Sequence, residues 1–598
     1  MPERTIQCVT IVAVFAICGA ARTLADEAPP WIAEGTAGMV AADHPEASAI
    51  GVAVLRAGGS AFDAAIATSA ALTVTRPEST GIGGGGFMVA YIAAEKRFIA
   101  LDFREMAPEA ATPERYAKLH AEIGDGPSAS IYGGNAVGVP GLVAGWREVH
   151  KRLGTREWKS LLEPAAALAE RGFTVDESCR DSIESALKDF KKYPAFDARF
   201  AALKRRIAPE GVAREVGTRW ERRDIAATLR LLAERGPDAF YAEPIGSSII
   251  RAVNGAGGEM TEDDLRRYRV IERTPLRFST QRHIPRPEAE PPFEWITMPP
   301  PSSGGACLAQ LALVDAWLEK TEMYLAVRAP AIPLSWRIEA MKHAFANRSR
   351  FLADPDFAPV DVSKMVDAAY AKDLADKIAR KQHPATIDAY GLRPPDDRGT
   401  SHFSIVDRAG NVVAWTETIN GGYGSFVVVE PHGVILNNQM DDFTTVEGEA
   451  NLFGLVQSRA NLVGPGKRPL SSMTPTIVMR EGKPVLAIGG SGGPRIITSV
   501  FQVAITVLGR GPHVLGIATS ERAMSEPRVH HQWQPDEVFF DRDPNEQWKL
   551  IITALREQGY KVSEKRRGAS VQYISIDAKT LRRTGVCDPR KGGRPAAE

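Results

Sequence analysis

Around position 400 the sequence sets a hydroxyl residue where a chain could act on itself. Gly399 is followed by Thr400-Ser-His-Phe-Ser-Ile-Val406, which alternates in the manner of a strand. Asp407-Arg-Ala-Gly-Asn411 then reads as a turn, and Val412-Val-Ala-Trp-Thr-Glu-Thr418 as a returning strand. A turn centred on Ala409 or Gly410 sets Thr400 opposite residues 418 to 420, so Thr418 and Asn420 are expected to return close to it. A threonine that begins a chain carries its own base, because an α-amino group with a pKa near ~8 can take the hydroxyl proton. In an uncut chain the same hydroxyl can attack the Gly399 carbonyl, which a glycine leaves unobstructed. Taken alone, the stretch suits equally well a β-branched residue that merely opens a strand.

Downstream residues offer the rest of a reaction. After Val434-Ile-Leu436 comes Asn437-Asn-Gln-Met-Asp-Asp442, which sets amides and carboxylates at a strand's end, where they could bind an ammonium. Pro469-Leu-Ser-Ser472 adds two adjacent hydroxyls. Gly489-Gly-Ser-Gly-Gly493 adds backbone N–H groups little shielded by side chains, which suit a developing oxyanion. Each has a plainer reading as well: a solvated turn, a cap before Met473, a tight glycine turn. The last segment also fits the G-x-S-x-G pattern with Ser491 as nucleophile, for which Asp536 and His530 or His531 would be the partners. Gly81 to Gly86 lacks the strand, loop and helix spacing of a dinucleotide site, and His530-His531 lacks further metal-ligand spacing. Neither a cofactor nor a metal is expected.

These segments need a large scaffold. The 598 residues are 44% hydrophobic and 24% charged, as in ordinary globular proteins. Lys plus Arg and Asp plus Glu both number 73, so no net field would draw nucleic acid or an anionic membrane, and a small-molecule partner is expected. From about Trp31 to Phe278 helical patterns alternate with short strands; Ala49 to Ala57 and Ala61 to Val74 read as helices, Phe87 to Ala93 as a strand. A polar insertion, 281–292, precedes the Met298-Pro-Pro-Pro-Ser-Ser-Gly-Gly305 loop and a helical region to about Lys381. The proline-containing segment 382–399 reads as an exposed linker that tolerates cleavage.

Arg4, the apolar run from Val9 to Ala21 and the small residues before Asp26 read as a secretory signal over residues 1–25, too short for a membrane span. A secreted or periplasmic protein with no membrane insertion after signal removal is the expectation. Cys179, Cys307 and Cys587 then remain, widely spaced and odd in number, which supports neither a disulfide framework nor a zinc site.

Read together, the chain resembles the γ-glutamyltranspeptidase family of N-terminal nucleophile hydrolases. The resemblance rests on Gly81-Ile-Gly-Gly-Gly-Gly-Phe-Met88, Asp102-Phe-Arg-Glu-Met-Ala-Pro108, Met298 to Gly305, Gly399-Thr-Ser-His402, Leu436 to Phe443, Lys467-Arg-Pro-Leu-Ser-Ser-Met473 and Asp588-Pro-Arg-Lys-Gly-Gly593. It implies an α/β (α+β) fold, a four-layer αββα sandwich formed jointly by a large subunit, 26–399, and a small one, 400–598. By that resemblance Thr400 is the nucleophile, Thr418 assists it, and Gly492 and Gly493 form the oxyanion hole. Asn420, Gln439 and Asp442 would hold a substrate's α-amino group, and Arg104, Ser471 and Ser472 its α-carboxylate. Glutathione and other γ-glutamyl compounds are the implied donors, with water, amino acids or short peptides as acceptors. Phe453 stands in the lid segment, 447–466, where many bacterial members have tyrosine, which puts a hydrogen-bonded latch in doubt and leaves an apolar cover. Cephalosporin acylases share the scaffold and are the alternative, since their pockets need not clamp an α-amino acid. A Ser491 hydrolase is a second alternative, and an inactive binding protein a third.

Overall fold

The computed structural model describes residues 28–598 apart from 125, 282–290, 326–330, 381–398, 510–516, 542–544 and 564–567. The leader at 1–25, most of the 281–292 insertion and the linker up to 398 lie outside the described residues.

The alternation after Thr400 forms the hairpin Ser401–Val406 and Val412–Thr418, paired antiparallel from Ser401 opposite Glu417 to Val406 opposite Val412. Its turn needs one left-handed residue, supplied by Gly410 at φ 85°. Asp407 closes it, accepting from the Asn411 N–H at 2.9 Å. The other Asp407 oxygen accepts from the Ala61 N–H at 2.9 Å, which ties the turn to the first turn of the helix Ala61–Thr75.

Each half of the chain contributes to both sheets. In one seven-stranded sheet the order is Ala596–Ala597, Met39–Ala42, Ser401–Val406, Val412–Thr418, Gly85–Ile92, Arg97–Phe103, Ile271–Arg273. The other runs Ile32–Gly35, Arg583–Cys587, Ser570–Ile576, Lys483–Ser491, Thr476–Arg480, Phe293–Thr297, Leu276–Thr280. The sheets face each other, with Ser401–Val406 against Lys483–Ser491. Helices Ala61–Thr75 and Leu142–Leu153 cover the first sheet; Gly304–Leu325 and Arg495–Leu508 cover the second. This is the four-layer αββα sandwich that the resemblance implies.

Local chemistry explains the covering helices. Ser60 and Asp63 form a capping box at the start of Ala61–Thr75, and the small residues that follow let every position of this helix be buried. Its neighbour begins at Pro45, earlier than the alanine pattern suggests, because proline suits a first helical turn and the His44 ring accepts the Glu46 N–H at 3.3 Å. The glycine run before Phe87 is a packing requirement: a Cβ on Gly86 would lie 2.3 Å from the Thr416 carbonyl oxygen, so the strand starts at Gly85 against the hairpin that follows Thr400.

Glu417 is buried beside Thr418, taking hydrogen bonds from the Ser69 hydroxyl, Thr80 Oγ1 at 3.0 Å and Trp415 Nε1 at 2.8 Å. Burial outweighs these donors and pushes its carboxyl from 4.5 up to about 7. The folded state thus favours the protonated form, and the stability this contributes is lost as pH rises from the ordinary value through about 7. Melting temperatures recorded from about pH 5 to about pH 8 should fall more steeply for the wild type than for Glu417→Gln; parallel curves would contradict this account.

Candidate active site

The hairpin register delivers Thr400 to Thr418. The Thr400 hydroxyl donates to Thr418 Oγ1 at 3.2 Å, and the same oxygen accepts the Asn420 N–H at 2.8 Å. Thr400 is 5% exposed, and its N–H donates to the Ser79 carbonyl at 3.2 Å. Its φ is 121°, a left-handed backbone that a β-branched residue holds only under strain, typically about 1–3 kcal/mol. Gly399 is wedged beside it, since a Cβ there would sit 1.4 Å from the Asn420 carbonyl oxygen. No other residue type fits that position without moving backbone.

A lysine that sequence reasoning left without a role joins the strands at this point. Lys591 Nζ donates to Asp43 Oδ2 at 2.6 Å, to the Thr400 carbonyl at 2.6 Å and to Ser491 Oγ at 3.2 Å. Its own carbonyl accepts from Arg76 Nη2 at 2.6 Å, and Arg76 pairs with Asp176 at 2.7 Å. Lys591 lies in the Asp588 to Gly593 segment, so the signal was in view, but only tertiary structure shows what its ammonium reaches.

Ser491 ends a strand, and Gly492 (φ 128°) and Gly493 (φ 54°) turn the chain into the helix Arg495–Leu508. Their peptides therefore lie at the positive end of a helix dipole, where negative charge is favoured. Gly489 lacks a side chain because the His402 ring occupies the space: a Cβ would lie 2.3 Å from its Cε1. Among the described residues Ser491 meets Lys591 and no histidine. His530 is bonded to Thr498 Oγ1 at 2.9 Å and Gln532 Oε1 at 3.0 Å, and His531 to Asp536 at 3.1 Å. The triad needed for a serine hydrolase is not assembled among the described residues.

Arg104 follows the strand Arg97–Phe103 and is 1% exposed. Its backbone is fixed by Asp102, which accepts its N–H at 3.0 Å, and by Tyr268, whose hydroxyl donates to its carbonyl at 2.7 Å. Asp102 in turn pairs with Arg468 at 2.5 Å and Arg273 at 3.0 Å. The Arg104 guanidinium pairs with Asp442, which also accepts from Gln439 Nε2 at 2.8 Å. The Asp441-Asp442 pair is thus no solvated turn; both are buried. Burial pushes the Asp442 carboxyl upward, with Arg104 and Arg348 opposing. Gln439 Oε1 is buried and has no hydrogen-bond partner among the described residues, an acceptor open to an ammonium. Asn420 donates its side-chain N–H to the Asn438 carbonyl at 3.0 Å.

Ser471 is held by the Met298 to Gly305 loop, and the Ser472 carbonyl accepts from the Thr474 hydroxyl at 2.9 Å. The Ser471 carbonyl accepts from the Ser303 N–H at 2.8 Å, and its N–H donates to the Pro301 carbonyl at 2.8 Å. Ser303 Oγ accepts from Arg348 Nε at 2.9 Å, and Arg348 Nη1 reaches Gln457 Oε1 of the lid segment at 3.2 Å. Arg348 is another residue whose part was invisible in a helical stretch. Phe453 is buried in the core together with Leu455. Its carbonyl accepts from Gln532 Nε2 at 2.9 Å, so a backbone bond and an apolar side chain hold the segment where a tyrosine hydroxyl was in question.

Comparison with known proteins adds to this geometry. The family model described as "Gamma-glutamyltranspeptidase" matches residues 47–598. The glutathione hydrolase proenzyme of Pseudomonas aeruginosa is 37% identical over 571 residues, covering 93% of this chain and 94% of that protein. The proenzyme of the same name from Escherichia coli (strain K12) is 36% identical over 557 residues, covering 92% and 90%. Among solved structures, the cephalosporin acylase from Bacillus halodurans superposes with a TM-score of 0.78 at 25% identity, covering 96% of this chain and 98% of that one. Both the match over most of the length and the identity to two proenzymes settle the affiliation: the chain belongs to the γ-glutamyltranspeptidase family, enzymes of the N-terminal nucleophile hydrolase fold.

Proposed function

We propose that the chain cuts itself before Thr400 into subunits 26–399 and 400–598 and then works, outside the cytoplasm, as a γ-glutamyltransferase and glutathione hydrolase. The observation that carries the reading is the strained Thr400, its hydroxyl 3.2 Å from Thr418, beside a Gly399 packed where only glycine fits. In the precursor, Thr400 Oγ1 attacks the Gly399 carbonyl, and the amide nitrogen leaves as an amine. The resulting ester is hydrolysed, which frees Gly399 as a carboxylate and Thr400 as an N-terminus.

In the cut enzyme the α-amine takes the proton of Thr400 Oγ1 as the oxygen attacks the γ-carbonyl of a donor such as glutathione. The oxyanion forms against the Gly492 and Gly493 peptides, whose fixed dipoles need not reorganise. The proton passes to the departing amine, which leaves a γ-glutamyl ester on Thr400. Water or a second amine then releases it. The donor's ammonium and carboxylate exchange for the Arg104 to Asp442 ion pair: Asp442 with Gln439 Oε1 and Asn420 takes the ammonium, and Arg104 with Ser471 and Ser472 takes the carboxylate.

The structural likeness to a cephalosporin acylase supports a second reading, an amidase on acyl groups without the α-amino group. The two separate on a γ-glutamyl anilide and its glutaryl counterpart, which differ only in that amine. Asp442→Asn should lower kcat/KM for the γ-glutamyl anilide by about 10- to 100-fold, as expected for a lost charged hydrogen bond, and leave glutaryl turnover within about twofold. Wild-type preference for the glutaryl compound would decide for the acylase.

Intact masses test the processing. Wild type should give two fragments meeting at Gly399/Thr400, Thr400→Ala a single inactive chain, and Ser491→Ala two fragments with activity; an uncut, active wild type would refute the mechanism.

A further inference from the structure

Beside the nucleophile lies a cavity that the steps above do not use. It measures about 80 Å³ and is lined by Gly421, Gly422, Asn438 and Leu452 on one side and by Ser185 and Asp189 of the helix Glu177–Lys192 on the other. The reacting carbonyl must lie near it. Thr400 Oγ1 first attacks the carbonyl of Gly399, and a Cβ on Gly399 would stand 3.2 Å from the Gly421 carbonyl carbon. Gly421 both borders that position and lines the cavity, and a Cβ on Gly422 would meet nothing within 4 Å.

The charge of this space is one-sided. A second cavity of about 320 Å³ shares Ile131 and Leu452 with the first, so the two form one groove along the lid segment. Among the described residues lining the groove, the ionisable acids and bases other than tyrosine are Asp189, Asp441, Glu449 and His120; none is lysine or arginine. Asp441 is occupied, accepting from Ser130 Oγ at 2.8 Å and the Leu452 N–H at 2.7 Å, and Glu449 faces His120 at 3.2 Å. Asp189 is half-buried and held by the Tyr132 hydroxyl. Lys192, three residues on, is exposed and stacks over Tyr193 at 4.8 Å. Asp189 is therefore the charged group that lines the smaller cavity, the part of the groove that Gly421 and Gly422 border.

We propose that the cavity beside Gly421 and Gly422 is the acceptor subsite of the transfer reaction, and that through Asp189 it favours amines with a second positive charge, such as amino acids or short peptides with a basic side chain. The inference rests on the γ-glutamyl transfer reading. An amine that attacks the ester approaches along the path by which the first amine departs, because formation and breakdown of the same tetrahedral centre retrace one route. An acceptor whose amine meets the carbonyl then lays its side chain into the cavity, where the half-buried Asp189 carboxylate, with no lysine or arginine in the same lining and Lys192 on the exposed side, attracts a cation more strongly than it would in open water. The Tyr132 hydroxyl holds Asp189 in place without neutralising it.

The test uses the processed enzyme with a γ-glutamyl anilide as donor and arginine or methionine, two unbranched acceptors of similar reach, as the amine. Asp189→Asn, which keeps a hydrogen-bond acceptor for Tyr132, should lower kcat/KM for transfer to arginine about tenfold. Transfer to methionine and hydrolysis without acceptor should stay within twofold. Ser185→Lys, which adds a positive charge to the same cavity and removes no charged contact, should also depress transfer to arginine selectively. Equal losses for both acceptors, or none in either variant, would overturn the subsite. A wild type that releases no chromophore from the anilide would instead remove the transfer reading beneath it.

Discussion

The contact between two threonine hydroxyls depends on a hairpin closing in one register. If the pairing of Ser401 with Glu417 slipped by one residue, every side chain of the strand would change faces, and Thr400 would lose Thr418. The register is guarded from several directions. Asp407 and Gly410 fix the turn, Trp415 packs against Phe103 and Phe403 with ring centroids 4.7 and 5.8 Å away, and Gly85 and Gly86 leave room for the neighbouring strand. The Asp407 bond to Ala61 carries this setting into the buried helix behind the sheet. Thr400 is thus positioned by the rigid middle of the fold and not by a loop, which is what a reaction that depends on sub-ångström placement would require of it.

Around the hairpin, charges are buried in pairs that bridge the two sides of position 400. Asp102 from one side holds Arg468 from the other; Lys591 from the far end holds Asp43 near the start. Such pairs contribute little net stability, because desolvation offsets their attraction, but losing one partner leaves a charge stranded, at a cost of about 3–5 kcal/mol. They act here as alignment: Arg468 keeps the strand before Arg104 in place, and Lys591 holds Thr400 and Ser491 on one ammonium.

What could be read from the chain was whatever local periodicity or composition encodes. The alternation from Thr400 to Thr418, with glycine in its turn, gave the hairpin and the Thr400 to Thr418 approach. The clustered amides and acids from Asn437 to Asp442 suggested an ammonium site, although alone they suited a solvated turn better; their burial removes the turn reading. The residues that escaped are those whose work is long-range. Lys591 acts across 191 positions on Thr400, and Arg348 supports Ser303 and Gln457 from within a helix that looks ordinary. The mutual pairing of Arg104 and Asp442 was likewise out of reach, since the two belong to segments 338 positions apart and resemblance had assigned them to opposite ends of a substrate.

The interleaved sheets have a consequence for how such a protein persists. Ser401–Val406 lies between Met39–Ala42 and its own hairpin partner, and Arg583–Cys587 lies between Ile32–Gly35 and Ser570–Ile576. A chain cut at position 400 would remain clamped by strands on both sides, yet once unfolded it would have to reassemble from two pieces. Folding would have been unimolecular and refolding bimolecular, diluted by whatever volume the pieces escape into. The endurance of the processed form would then be governed by an escape rate, a matter of barrier height and not of equilibrium depth.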